Sequence, residues 1–167
     1  MRVYFSKTIP FGKFIAINIF ARLYIKDKDR SRIKYFIRNS RRYFHLIQHE
    51  RSHTKQQNDL LGIFFYIWYV VEWFFKLFTE GQAYKELSFE REARHNELNV
   101  DDYDVRVHIE DGSILIHSKG INTSNIIINN LIDDAKNIKY IEFIPMKTKG
   151  SLIGRKWGSW LKYVFKR

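Results

Sequence analysis

The sequence predicts an α+β fold, and three patterns carry that expectation. Residues 14–25, FIAINIFARLYI, are rich in isoleucine and aromatics and alternate along the chain, as a bent strand or tight hairpin does. Residues 40–58 and 60–78 read as two helices, the first polar and the second strongly apolar. Residues 103–145 hold two alternating runs around Asp111-Gly112, a helix capped by Thr123 or Ser124, and the strand IKYIEFIP. Together they make a small β-β-α-β unit.

Each element has its own local reason. Pro10 and Gly12 lead into the first strand or hairpin. A short basic helix fits residues 29–38. Ser40 suits the N-cap of the next helix, whose apolar positions are Tyr43, Phe44, Leu46 and Ile47. In the third helix the uninterrupted apolar run, Leu60 to Val71, is twelve residues long, against the roughly 20 that a membrane span needs. Glu72 and Lys76 follow at a spacing that allows an ion pair. The segment is therefore expected to be a core helix, or one lying in a membrane interface with Trp68, Tyr69 and Trp73 as anchors. Gly81 ends it, Ser88 caps a helix running to about Leu98, and NVDDYD is a loop. In the tail, Ile153, Trp157, Trp160, Leu161 and Val164 recur at helical spacing among Arg155, Lys156, Lys162 and Lys166, the pattern of a basic amphipathic helix. The chain divides into a core over residues 1–100, an α+β subdomain over 101–145 and a basic tail over 146–167.

The formal net charge is +11. One basic block runs from Lys26 to Arg42, and the stretch from Lys147 to Arg167 contains no acid. Such a balance suits nucleic acid, an anionic membrane surface or an acidic substrate. No nucleic-acid motif accompanies it, and the tail tryptophans fall on a helical stripe rather than a strand platform, which points to the membrane surface. MRVYFSKTIPFGKF lacks the continuous apolar stretch and cleavage site of a signal peptide. The expected location is cytoplasmic, peripheral at the inner membrane surface. With no cysteine, disulfides are excluded and any zinc ligands must be histidines and carboxylates.

The stretch LIQHERSHTKQQ contains His49-Glu50-Arg51-Ser52-His53, the spacing H-E-x-x-H. On a helix, residues four apart lie about 40° from each other. His49 and His53 then point the same way and can grip one zinc ion, with Glu50 placed to act as general base on water. A catalytic zinc takes a third protein ligand. Asp59 lies about 240° round an unbroken helix from His53 and faces away. Glu90, in SFEREARHNE, can come from a second helix on which the small Ala93 allows close approach. Glu86, Glu92, His95 and Glu97 are alternatives. Tyr84, His95 and Tyr103 are candidate donors to an oxyanion. Asp59 or Glu92 could orient the histidines from behind. His45 and Gln57 share the helix face but read more simply as packed or solvated groups.

The combination IPFGKFIAINIF, HERSHTKQQ, FYIWYVVEW and AYKELSFEREARHNE resembles a group of small bacterial proteins with a gluzincin-like zinc signature, over roughly residues 8–100. The resemblance implies a zinc metallopeptidase core with Zn2+ on His49, His53 and Glu90, Glu50 as base, and a peptide or protein substrate laid along the strand at 14–25. Residues 101–167 lie outside it. The alternative is a non-catalytic membrane-associated protein in which zinc fastens two helices together.

Overall fold

The computed structural model describes residues 1–28, 30–39, 43–79, 86–97, 102–116, 135–146 and 156–164. These form a mixed α+β structure of six strands and four helices, in the order β1 (Arg2–Ser6), β2 (Ala16–Ile19), β3 (Arg22–Lys26), α1 (Ser31–Arg38), α2 (Phe44–Asp59), α3 (Ile63–Thr79), α4 (Ser88–Asn96), β4 (Tyr103–Ile109), β5 (Gly112–Ile116) and β6 (Ile138–Pro145). Ser40, Gly81, Tyr84, Ile153 and the segment holding Thr123 and Ser124 lie outside the described residues.

The strands form one sheet in the order β2-β3-β1-β6-β4-β5. β1 and β3 are parallel, and every other pair is antiparallel. β6 lies between β1 and β4, so the N-terminal strands and the C-terminal strands share one hydrogen-bonded sheet across the boundary drawn at residue 100. The alternation Val3, Leu23, Tyr103, Val105, Val107, Ile141, Phe143 turns one face inward, onto Ile33 and Phe36 of α1 and Phe44 and Ile47 of α2. On the other face Tyr24, Tyr4, Tyr140 and His108 form a row of ring contacts across four strands.

β2 and β3 make a tight hairpin. Its two turn residues, Phe20 and Ala21, both have positive φ, 45° and 64°, the conformation that matches strand twist but suits glycine or asparagine better. The strain is held by neighbours. Phe20 N donates to Tyr66 Oη at 3.3 Å, and Ala21 N donates to Gln57 Oε1 at 3.2 Å. Asp27, just past β3, is buried and accepts hydrogen bonds from the N–H groups of Arg32 and Ile33, capping α1.

α2 and α3 meet at a bend of 108°. The bend passes through Leu61 and Gly62, both at positive φ. Ser88 is the first residue of α4 rather than its cap: its N–H and Oγ donate to Glu72 of α3 at 2.8 and 2.6 Å. The tail differs from the expected amphipathic helix. Gly158 has φ 66°, and a 3-10 turn over Ser159–Tyr163 follows it. Trp160 is buried with Phe65 and Phe89 in a small second core between α3 and α4.

Candidate metal centre

α2 is a polar helix that is nevertheless buried on one side, where Gln48, Ser52, His53, Gln56 and Gln57 all lie inside. Buried polar groups require partners, and α4 and β4 supply them. Ser52 Oγ donates to Gln48 O and accepts from Asn96 Nδ2. Gln56 Nε2 donates to Phe89 O at 3.1 Å and to Glu92 Oε2 at 2.7 Å. The row 48, 52, 56 is thus a polar seam along α2. The next row, 49, 53, 57, lines a cavity of about 310 Å³.

Into that cavity His49, His53 and Glu90 converge. Their donor atoms all lie within 4.8 Å of one another, and the group could hold a metal ion. The two histidine Nε2 atoms are 3.0 Å apart, His49 Nε2 is 3.5 Å from Glu90 Oε2, and His53 Nε2 is 3.4 Å from Glu90 Oε1. Tetrahedral zinc with bonds near 2.0–2.1 Å needs donors about 3.3 Å apart, so this donor set fits zinc. Ala93, one turn beyond Glu90, is fully buried on α4.

The imidazole tautomers follow from their outer partners. His49 Nδ1 donates to Glu97 Oε1 in a short hydrogen bond. His53 Nδ1 donates to Gln56 Oε1 at 2.8 Å. Carboxylate and amide oxygens only accept, so both Nδ1 atoms carry a proton, and in its neutral form each imidazole presents the Nε2 lone pair to an ion. Behind Gln56 the chain continues. Glu92 is buried, and its Oε1 accepts from Ser159 Oγ, which links the C-terminal turn to a histidine.

The electrostatics match the geometry. Burial alone would raise the Glu90 pKa, but the hydrogen bonds and charge of His49 and His53 outweigh it and hold the carboxyl far below its usual range. Burial works to lower the His53 pKa, yet Glu90, then Glu50 and Gln56, more than offset it and the net shift is upward.

Glu50 lines the same cavity, and its backbone carbonyl is fixed by Asn18 Nδ2 at 2.8 Å and Thr54 Oγ1 at 3.1 Å. The other expected residues lie elsewhere. Asp59 faces the tail, where Oδ2 accepts from Gly158 N at 3.0 Å. Glu92 meets the site through Gln56. Glu86 pairs with Arg91, and His95 is exposed near Tyr163. His45 bonds the Glu97 carbonyl. Tyr103 is corrected as an oxyanion candidate: it is fully buried in the main core, donating to Gln48 Oε1 and accepting from Arg51.

Two tyrosines on α3 stand at the cavity instead. Tyr69 Oη donates to Glu90 Oε1 at 3.2 Å, and Tyr66 lines the cavity beside it. They were hidden in a stripe read as core or membrane face, and their signal was the hydroxyl at positions three apart. The opposite wall is Phe14, Ala16, Ile17 and Asn18 of the β2 edge. Asn18 Oδ1 is buried there without a hydrogen-bond partner among the described residues. Comparison with family models, curated proteins and solved structures finds no match.

Proposed function

We propose that this chain is a zinc-dependent hydrolase of gluzincin-like type, acting as a peptidase. The observation that carries the reading is the convergence of His49 Nε2, His53 Nε2 and Glu90 at zinc-compatible separations, with both histidine Nδ1 atoms engaged from behind. Bound zinc would supply the Lewis acid that polarises a carbonyl and makes water acidic near neutral pH. Glu50, adjacent to the first ligand and on the cavity wall, takes the proton from the attacking water and delivers it to the leaving amine.

Tyr66 is the group suited to the developing oxyanion. Its oxygen already accepts from Phe20 N, so its own proton can be directed into the cavity. The Tyr69 proton is occupied by Glu90. The substrate side is supported by β2, an edge strand paired only with β3 among the described residues. An extended peptide can add to that edge.

The test is metal content and peptide cleavage measured together. Purified protein should carry one zinc, lost in His49→Ala, His53→Ala and Glu90→Ala. Glu50→Gln should keep the metal and lose turnover of a mixed peptide pool. A wild type with bound zinc but no cleavage, unchanged by Glu50→Gln, would leave the zinc as a fastener of α2 to α4 instead.

A further inference from the structure

α3 is apolar over most of its circumference, and among the described residues it is buried only on the side that carries Phe65, Glu72 and Lys76. Phe64, Ile67, Val71, Phe74, Phe75 and Phe78 are all exposed, Phe78 to 76%. At 100° per residue the exposed positions of α3 sweep an arc of about 220°. The helix's two charged residues, Glu72 and Lys76, are buried instead, Glu72 against Ser88. An arc this wide exceeds the roughly 100° stripe that one packed protein surface covers. A fluid acyl phase can conform to it.

The surface continues beyond the helix on both sides. Phe11, Phe14 and Phe20 are exposed on the segment entering and closing the β2–β3 hairpin, and the Phe20 ring lies 5.7 Å from that of Tyr66. Trp157 is exposed where its Nε1 donates to Asp59 O, next to the start of α3, and Trp160 lies 5.7 Å from Trp68. Exposed lysines sit beside these insertions: Lys13 between Phe11 and Phe14, Lys156 before Trp157, Lys162 after Leu161. Aromatic residues flanked by lysines on a chain of net charge +11 complement an anionic headgroup layer over hydrocarbon.

We infer that α3, the side chains of Phe11, Phe14 and Phe20, and Trp157 form a single face that embeds in one leaflet of an anionic bilayer, with α3 lying in the interface. At about 25 Å, α3 is shorter than a hydrocarbon core of roughly 30 Å. No single described helix is long and apolar enough to cross. Of the two expected membrane contacts, α3 and the tail, the exposed apolar surface lies mainly on α3, with Trp157 of the tail beside it. The cavity holding His49, His53 and Glu90 opens between this helix and residues 14–18 at the β2 edge, so the embedded face borders the site. Docking is separable from hydrolysis and persists whether or not the zinc group turns over a substrate.

The experiment is flotation of the intact zinc-loaded chain with phosphatidylcholine vesicles, with and without phosphatidylglycerol, beside Phe75→Glu/Phe78→Glu and the control Leu115→Glu. Leu115 is exposed on β5, at the sheet edge opposite β2. Wild type and the control should float, more strongly on anionic vesicles and less at high salt. The double variant should lose at least about tenfold in partition. In the unmodified chain, lipids brominated along the acyl chain should quench tryptophan fluorescence, a readout that needs no variant to fold. A wild type that stays in the buffer and escapes quenching, or a double variant that floats like wild type, overturns the inference. Equal flotation on both vesicles overturns the anionic preference.

Discussion

Gln56 accepts a hydrogen bond from His53 Nδ1 at 2.8 Å, and the same amide donates to the buried Glu92 at 2.7 Å. One side chain thus fixes the His53 tautomer and satisfies an oxygen of a buried carboxylate on α4. Its two ends cannot be exchanged, because only the oxygen can face the Nδ1–H and only the nitrogen can face Glu92.

Gln56→Leu removes both contacts. Zinc affinity should fall about 10–100-fold, the usual cost of losing an outer partner of a metal-binding histidine. Competition with a chromophoric chelator measures it. An affinity within twofold of wild type, roughly the scatter expected of such contacts, would separate Gln56 from the metal group.

Glu97→Gln and Glu97→Ala probe the other histidine. The glutamine keeps an acceptor for His49 Nδ1, while the alanine leaves none in the Glu97 side chain. Zinc affinity should drop less for Gln than for Ala, with the alanine variant about tenfold or more below wild type. Equal losses in the two variants would mean that Glu97 acts through helix packing rather than through the imidazole.

Tyr66→Phe removes the phenol but keeps the ring against Phe20 and Phe65. The freed Phe20 N–H is exposed and can bond water. Zinc content should stay at one per chain while kcat for peptide cleavage falls by about 10²–10³, the range for an oxyanion donor. A rise in KM with kcat unchanged would assign Tyr66 to substrate binding alone.

Glu72 is buried on α3 and satisfies both Ser88 donors at the start of α4. Glu72→Leu strands the Ser88 N–H and Oγ, and denaturant unfolding should show a loss of about 2–4 kcal/mol, since bonds to a charged acceptor are worth about 1.5–3 kcal/mol. Glu72→Gln, which retains one acceptor, should lose less. A fully stable Leu variant would show that Ser88 finds another partner.

These residues also mark what was legible in the sequence. The spacing of His49 and His53 needed only helix geometry, whereas Glu90 stood beside Glu86, Glu92, His95 and Glu97 as a candidate and was preferred through the family resemblance. Gln56 and Glu97 could not be read, because their roles depend on how α2 packs against α4. The sheet order was equally hidden, since β6 pairs with β1 across more than a hundred residues of chain. Tyr103 was readable and misassigned: its alternation with Val105 and Val107 places it on the core face. The tail carried helical periodicity, but the positive φ of Gly158 starts a 3-10 turn that buries Trp160.

The final prediction concerns pH. In the metal-free protein, His53 has a pKa raised above its ordinary 6.5 and Glu90 a pKa lowered below its ordinary 4.5. A raised histidine contributes stability that is fully present below pH 6.5 and is lost as pH climbs through the folded-state value. A lowered carboxyl contributes stability that is present above pH 4.5 and is lost as pH falls through its folded-state value. The contribution of the pair is therefore greatest between those two pH values and declines on the alkaline side. Zinc has the opposite dependence, because the proton on His53 competes for the atom the metal needs. Thermal melts from about pH 5 to 8 should show the contribution of the pair to metal-free stability shrinking with rising pH while the stabilisation by added zinc grows. His53→Ala should abolish both trends, which separates the pair from the protein's other titrating groups. If the zinc-induced rise in Tm is the same at both ends of the range, His53 does not exchange a proton for the metal.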